Sequence, residues 1–394
     1  MNEKFSAVQA SLAREKIDGW LFYDFRRSNE LACGFLEIPQ QTLLTRRFFY
    51  WLPKQGEPVK IVSAIEDKVL HHLSGTVKTY RTWKELEKCL EDILSGCRKV
   101  AMEYSPRNAI PSVSKVDGGT LELVRSFGVD VVSSANLLQQ YTSVWDARKL
   151  DTHLKAADIL CEAVDQAWQW IASNLTSRKR ITEYAVQQYL LETFAAHRCV
   201  TSDPPICAVN EHSADPHYLP TKEHSSAIGR GDFILIDLWC KQDLPRAAYA
   251  DITRVGVAAP QPTSRQNEIF TLVKRARDRG VELIRECMRE KRPLMGCEVD
   301  QACRQVIEKG GYGGSFIHRT GHNIDETDHG NGAHIDNYET HDCRELLPGT
   351  CFSIEPGVYL PGEFGVRLEY DVFIHSDRRV QITGGIQNSI TCLF

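Results

Sequence analysis

A chain of 394 residues is long for one domain and is read as two; with 42% hydrophobic and 25% charged residues its composition is that of an ordinary soluble globular protein. Its net charge of -5 offers no attraction to nucleic acid or to an anionic membrane surface, and no window approaches the roughly 18 uninterrupted apolar residues of a spanning helix. The start, Met1-Asn2-Glu3-Lys4-Phe5, lacks the basic-then-apolar order of a secretion signal, so a cytoplasmic location is expected. The 13 cysteines are odd in number, scattered from Cys33 to Cys392 and free of any CxxC pair. They are read as small buried hydrophobes in a reducing compartment, not as disulfides or thiolate ligands.

In chain order, an amphipathic helix over 4–16 leads into a strand at 20–23. Further strands are predicted at 48–51, 59–62, 100–102 and 129–132, with a helix over 83–95. This pattern predicts an α/β domain with a mixed sheet over 1–145. It carries no Gly-rich phosphate loop, because Gly118-Gly119 neither follows a strand nor precedes a capped helix. Nothing in it reads as catalytic. A composition change near 141–151 opens a second domain, 146–394. Helices are predicted there at 154–171, 185–196, 272–288 and 300–308, and strands at 233–239, 252–257, 351–355, 366–374 and 379–383. The second domain is therefore α+β, with helices packed outside a curved antiparallel sheet.

The chemistry is concentrated in that domain. Asp237 ends the apolar run 233–236, Asp251 opens 251–255, Glu355 follows 351–354, and Glu369 lies in Gly365-Val366-Arg367-Leu368-Glu369. A buried carboxylate is strongly destabilising unless it is paired or holds a cation. Along 366–374, Val366, Leu368, Tyr370 and Val372 fall on one face and Arg367, Glu369 and Asp371 on the other. Five histidines lie between His318 and His341. Thr320-Gly321 and Gly313-Gly314 argue against a helix around His318 and His322. The segment reads as a strand passing into the Gly-rich loop His329-Gly330-Asn331-Gly332, with His334 and His341 as loop residues. Four carboxylates and one imidazole exceed what one small catalytic zinc takes. They suit two divalent ions about 3.5–4 Å apart. Oxygen-rich ligation favours manganese, with cobalt, zinc or iron as alternatives.

The order Asp237, Asp251-Ile-Thr253, Gly321-His322, Ser353-Ile-Glu355-Pro-Gly357 and Gly365-Val-Arg367-Leu-Glu369 resembles the pita-bread metallopeptidases, the family of aminopeptidase P, prolidase and methionine aminopeptidase. The signature spans about 200–375. The two-domain layout resembles aminopeptidase P, prolidase and creatinase over nearly the whole chain. The resemblance implies a creatinase-like N-terminal domain, a pita-bread catalytic domain and a homodimer. It further implies a dinuclear exopeptidase that hydrolyses Xaa-Pro bonds of small peptides through a metal-bridging hydroxide. Asp237 would chelate one ion, Asp251 and Glu369 would bridge both, and His322 and Glu355 would complete the other. Glu355 would also carry the proton to the leaving amine. His217 and His329 match family histidines that contact substrate and steady the tetrahedral intermediate, and His318 would line the same pocket. Arg367 would fix Asp251 or Glu369 from behind, with Thr253 beside it.

The sequence departs from the family pattern in places. Asp237 and Asp251 are 14 residues apart, which implies a longer hairpin. Asp325 stands where the family often has Gly, and Gly330 where prolidases often have Glu, both at the expected pocket rim. The competing readings keep the fold but change the activity: a metal-dependent lyase or small-amide hydrolase, or a non-catalytic binding module. Complete ligand positions weigh against a metal-free enzyme and against a binding module.

Overall fold

The computed structural model describes residues 2–394, which divide into two compact units, the first ending at Thr142 and the second running Ser143–Phe394. In chain order the first unit contains α1 (Asn2–Arg14), β1 (Gly19–Asp24), α2 (Glu30–Phe35), β2 (Phe48–Pro53), β3 (Val59–Ser63), β4 (Thr76–Tyr80), α3 (Trp83–Leu94), β5 (Lys99–Met102), α4 (Gly118–Ser126), β6 (Asp130–Ser133) and α5 (Ala135–Thr142). The strands form one mixed sheet in the order β4-β3-β2-β1-β5-β6. Strand β1 runs antiparallel to β2 and parallel to β5. Alternation along β1 feeds two cores. Trp20 and Phe22 pack with Phe5, Val8 and Leu12, while Leu21 and Tyr23 pack with Leu86 and Leu90.

One expectation fails here. Gly118 and Gly119 do open a capped helix: the Asp117 side chain accepts from the Thr120 N–H. That acceptor satisfies a first-turn donor, which offsets the poor helix propensity of glycine. Helix α2 is too short to show periodicity, and β4 is a largely exposed edge strand rich in Thr and Lys, so neither was visible as an element.

Glu103, just past β5, is buried and surrounded by neutral donors: Trp20 Nε1 at 2.6 Å, Asn29 Nδ2 at 2.8 Å and Ser134 Oγ at 3.2 Å. Burial pushes its pKa up to about 7 despite those three bonds. The folded state thus binds a proton that the unfolded chain has already lost between the ordinary glutamate value and about 7. Stability is full below that window and falls as pH rises through it, by roughly 3 kcal/mol, then levels. The Trp20 indole N–H resonance should titrate with a midpoint near 7, and Glu103→Gln should abolish the titration. A flat Trp20 resonance in the unsubstituted protein would reject this.

The second unit contains α6 (Ala147–Thr176), α7 (Glu183–Ala196), β7 (Ile206–Val209), β8 (Phe233–Gln242), β9 (Ala250–Val257), α8 (Ser264–Glu290), α9 (Gly296–Lys309), β10 (Cys351–Ile354), β11 (Gly357–Leu360), β12 (Phe364–Arg367), β13 (Tyr370–Ile374) and β14 (Val380–Thr383). Strand β8 lies between β7 and β9, antiparallel to both. Strand β13 lies between β10 and β14, again antiparallel, and β11 pairs with β12 in a separate ribbon. Alternation decides which face of β8 and β9 is polar. Ile234, Ile236, Leu238 and Ile252 pack on Leu160, Val164 and Ile171 of α6. Leu235 and Val255 pack on Ile269 and Val273 of α8, so Asp237, Asp251 and Thr253 project to that same side, away from α6.

The predicted single strand over 366–374 is a second correction. The chain leaves the β11–β12 ribbon at Arg367 and enters the β10–β13 sheet at Tyr370, with Leu368 and Glu369 in the crossing. All 13 cysteines are free thiols; Cys240, Cys303 and Cys351 are buried as read from sequence, whereas Cys343 and Cys392 are exposed.

Candidate metal centre

The β8–β9 hairpin supplies two carboxylates. Its register sets Asp237 opposite Thr253 and Trp239 opposite Asp251, which places both acids and the threonine on one face. The longer hairpin implied by the Asp237–Asp251 spacing is taken up in the loop after Gln242, beyond the paired residues.

His322 comes from a loop that α9 holds from behind. Asp300 accepts from the Thr320 N–H at 3.0 Å. Arg304 pairs with Asp300 and donates to the carbonyls of Phe316 at 3.0 Å and His318 at 2.6 Å. The next step is close packing on β10: a Cβ on Gly321 would lie 2.1 Å from the Ser353 carbonyl oxygen, so no larger residue fits. Hydrogen bonds from His322 N to Ser353 Oγ at 3.0 Å and from Ser353 N to His322 O at 2.9 Å complete the attachment. The Nδ1 atom of His322 faces two carbonyls, Asp328 O at 3.1 Å and Asn323 O at 3.4 Å. Carbonyls only accept, so Nδ1 carries the proton and Nε2 presents a lone pair. Burial holds the imidazole well below its ordinary pKa, hence neutral. That lone pair points at carboxylate oxygens, 3.4 Å from Glu355 Oε1 and 3.7 Å from Asp251 Oδ2.

Glu355 and Glu369 close the cluster. The Glu355 N–H donates to Thr320 O at 2.7 Å, and Ser353 Oγ donates to Glu355 Oε1 at 3.2 Å. Thr253 Oγ1 lies 2.8 Å from Asp237 Oδ1 and 2.6 Å from Glu369 Oε2; its one proton serves either acid. It also accepts from Arg367 Nε at 2.9 Å. Arg367 differs from expectation. Its Nη2 pairs with Asp237, not with Asp251 or Glu369, and it reaches Glu369 only through Thr253. As the end residue of β12, Arg367 lies across from the β8–β9 face where Asp237, not Asp251, is the nearest acid.

The arrangement fits a cation. One ligand atom each from Asp251, His322 and Glu369 lies within 4.8 Å of the others. Asp251 Oδ1 and Glu369 Oε1 are buried and make no hydrogen bond. Burial, and then the mutual repulsion of Asp251 and its neighbour Glu369, pushes the Asp251 carboxyl well above the usual carboxylate range. A neutral nitrogen lone pair and unpartnered oxygens converging on one point are what a divalent ion satisfies.

The predicted pocket histidines are spread around this centre. His329 packs against His322 with ring centroids 4.0 Å apart and planes tilted by 44°, and its Nδ1 accepts from Arg319 Nη2 at 3.1 Å. Arginine only donates, so His329 is held with its proton on Nε2. His217 is exposed, its ring makes no hydrogen bond, and it lies within electrostatic reach of His329. His318 is turned aside: Nδ1 bonds to Arg319 O at 2.6 Å and Nε2 to Tyr359 Oη at 2.7 Å. Tyr359 in turn accepts from Arg367 Nη1 at 3.1 Å, so His318 ends a chain that starts on Asp237. His334 holds the loop, with Nδ1 accepting from Asn323 N at 3.0 Å.

The two departures at the rim acquire reasons. Asp325 is buried and ion-paired with Lys149 of α6, so it adds no free charge to the rim. A Cβ on Gly330 would lie 2.3 Å from Asn323 Oδ1, which leaves no room for a glutamate there. Sequence reasoning missed Arg319, Tyr359, Asp300 and Asp328. Asp300 opens the predicted helix over 300–308 and Arg319 and Asp328 flank residues already singled out, but nothing local marks any of them as supporting the site.

A sequence profile of metallopeptidase family M24 matches residues 151–376. The Xaa-Pro dipeptidase of Pyrococcus horikoshii is 29% identical over 398 residues, covering 97% of this chain and 97% of that protein. Among solved structures, dipeptidase PepE from Mycobacterium ulcerans superposes with a TM-score of 0.67 at 21% identity, over 99% of this chain and 97% of that one. An X-prolyl aminopeptidase from Caenorhabditis elegans, described as a cytosolic enzyme with a di-nuclear active site, gives 0.62 at 18% identity, over 99% of this chain and 63% of that one.

Proposed function

The chain belongs to metallopeptidase family M24, and from that premise we propose that it is a metal-dependent exopeptidase that hydrolyses Xaa-Pro bonds of short peptides, as a dipeptidase or an aminopeptidase. The observation that carries the reading is the convergence of Asp237, Asp251, His322, Glu355 and Glu369, with orphaned oxygens on Asp251 and Glu369. Its substrate class follows the relative that matches along 97% of the chain.

In this reading Asp237, Asp251 and Glu369 hold one ion, and Asp251, Glu369, His322 and Glu355 hold a second. Two divalent ions bound there supply a water acidified towards neutral pH and an electrophile for the scissile carbonyl. Manganese is the proposed metal, because four of the five ligands are carboxylates; cobalt, zinc and iron are the alternatives. Glu355 takes the proton from the attacking water. It passes that proton to the proline nitrogen as the C–N bond breaks. His329, with Nε2–H fixed by Arg319, donates to the developing oxyanion, and the free ring of His217 serves the same oxygen. His318 supports Tyr359 and Arg367.

A homodimer is proposed as the working assembly. Leu43, Ile65, Val77 and Trp83 in the first unit are exposed apolar side chains available to a contact with a second copy. The free thiols support a cytoplasmic location, and no helix among the described residues is long and apolar enough to cross a membrane. Light scattering at micromolar concentration tests the dimer, and a monomeric mass rejects it.

The deciding assay sets manganese-loaded protein against Xaa-Pro dipeptides, longer Xaa-Pro peptides and non-proline controls. Turnover confined to dipeptides, or shared with longer peptides, separates the two exopeptidase types. No cleavage of any Xaa-Pro bond refutes the proposal. Within it, His217→Ala should keep both ions and lose roughly 10²–10³-fold in kcat, the scale of one oxyanion donor. Near-normal turnover of that variant would show His217 to be an ordinary loop residue.

A further inference from the structure

The segment from His322 to His329 is held from outside by cations of α6 and of the β8–β9 hairpin. Its first residues, Asn323 and Ile324, pair with β10. It then turns at Asp325 and Glu326 and returns past Asp328, whose carbonyl accepts from His322 Nδ1 at 3.1 Å, to Gly330, whose N–H donates to Asn323 O at 2.8 Å. Lys149 of α6 pairs with Asp325 and, at 3.0 Å, with Glu326. From the hairpin and its loop, Lys241 Nζ donates to Glu326 O at 2.6 Å, Tyr249 N donates to Asp325 O at 2.9 Å, and Arg246 Nε lies 3.6 Å from Glu326 Oε1. Two departures from the family pattern, the longer hairpin and Asp325, therefore meet at one place.

These contacts are unequal. The Arg246 and Glu326 side chains are 74% and 42% exposed, and an ion pair in water contributes little. Those of Lys149 and Asp325 are 8% and 10% exposed, and removing one partner of a buried pair strands the other charge, which is strongly destabilising. Helix α6 gains nothing from the ammonium. Lys149 lies in its first turn, where the positive end of the helix dipole repels a cation, and its backbone N–H already donates to Asp146 Oδ1 at 2.7 Å. The ammonium is thus placed against both burial and the helix, and what it gains is Asp325 and Glu326.

His329 depends on that turn. Its side chain is 60% exposed, and its carbonyl accepts from Thr327 Oγ1 at 3.0 Å. The Thr327 carbonyl accepts in turn from Asp325 N at 3.1 Å. A Cβ on Gly330 would lie 2.7 Å from Asp325 Cβ, so a shift of Asp325 is passed directly to the residue after His329.

We propose that Lys149 is a positioning residue for the reaction: through Asp325 and Glu326 it fixes the turn that aims His329 at the scissile carbonyl oxygen, without touching substrate. This deepens the exopeptidase reading and rests on it and on the role given there to His329. A misplacement of about 1 Å costs on the order of 10²-fold in rate.

The experiment measures kcat, KM and metal content on Ala-Pro for full-length, manganese-loaded protein, unsubstituted and as Lys149→Met, Asp325→Asn, Lys149→Met/Asp325→Asn, His329→Ala and Lys149→Met/His329→Ala. Lys149→Met should lower kcat about 10–100-fold with KM within a few-fold. Both ions should stay, because His322 is anchored to Ser353 independently of the turn. Lys149→Met/Asp325→Asn removes both charges and should be less impaired than Lys149→Met. In the His329→Ala background, Lys149→Met should change kcat by less than about threefold. Should Lys149→Met fail to fold, Asp325→Asn and its double variant carry the comparison. A purely structural lysine predicts a lower melting temperature with kcat unchanged, and that result overturns the proposal. Losses from Lys149→Met and His329→Ala that multiply overturn it too. Hydrogen exchange reads the turn without turnover: amides over 325–330 should exchange faster in Lys149→Met, and unchanged exchange overturns the proposal. Faster exchange there in a protein whose unsubstituted form cleaves no Xaa-Pro bond would refute the exopeptidase reading and leave the hold of Lys149 on the turn standing.

Discussion

Glu355→Gln is expected to lower kcat on an Xaa-Pro substrate by about 10²–10⁴-fold while at least one ion stays bound, which is the contribution of positioned proton transfer. The substitution is nearly isosteric. Its backbone remains fixed by the bond to Thr320 O at 2.7 Å, and the side-chain oxygen still accepts from Ser353 Oγ. What disappears is the charge and the ability to take up a proton. Arg367 Nε, 3.8 Å from Glu355 Oε2, is a permanently protonated donor and cannot replace the base. Lower metal affinity would add to the loss, so metal content has to be measured on the same sample. A variant within tenfold of normal turnover, with both ions bound, would remove Glu355 from the proton path. A variant empty of metal would show that ligation alone accounts for its defect.

How much of this was legible before the fold was known follows from the physics of each signal. Asp237, Asp251, Glu355 and Glu369 stood out because a charge inside an apolar run needs a reason, and the strands bury each run as that argument requires. The hairpin face was equally legible, since a period of two puts Asp251 and Thr253 on one side. The crossing at Leu368–Glu369 was not. The alternation of apolar and polar residues continues through it, so one strand and two consecutive strands in different sheets look alike in sequence. Helix α6 begins at Ala147, well before the apolar stripe over 154–171, because the Asp146 side chain caps it by accepting from Lys149 N. The Arg367–Asp237 pair and the Tyr359–His318 bond join residues distant in the chain, and the Asp300–Arg304 pair, though an i,i+4 contact within α9, gives no local sign of the loop carbonyls that Arg304 holds. No local pattern encodes such partners. Arg319 shows the difference most clearly: as a residue type it says little, and only its 3.1 Å contact with His329 fixes that histidine's proton.

Removing the ions is expected to abolish turnover, and His322→Ala to reduce two bound ions to one with no detectable turnover. His322 contributes a neutral nitrogen, so its loss changes ligation without changing the charge of the cluster. Its backbone anchors are main-chain bonds to Ser353, which alanine keeps. The fold should therefore survive, and circular dichroism of the variant should match that of the unsubstituted protein. Stability should respond to metal in both. Asp251 and Glu369 are buried with unpartnered oxygens, and each added ion relieves that cost only in the folded state. An ion present at 100 to 1,000 times its dissociation constant stabilises by about 2.7–4.1 kcal/mol per site. Manganese should thus raise the melting temperature of the unsubstituted protein over its chelated form, and raise that of His322→Ala by a smaller step. The size of the second step isolates the site that lacks the imidazole. Two ions retained in His322→Ala would remove the imidazole from the ligand set, whereas a melting temperature indifferent to manganese in the unsubstituted protein would mean that the orphaned oxygens are not ligands. The cluster would then have to be explained as a set of protonated acids in the core.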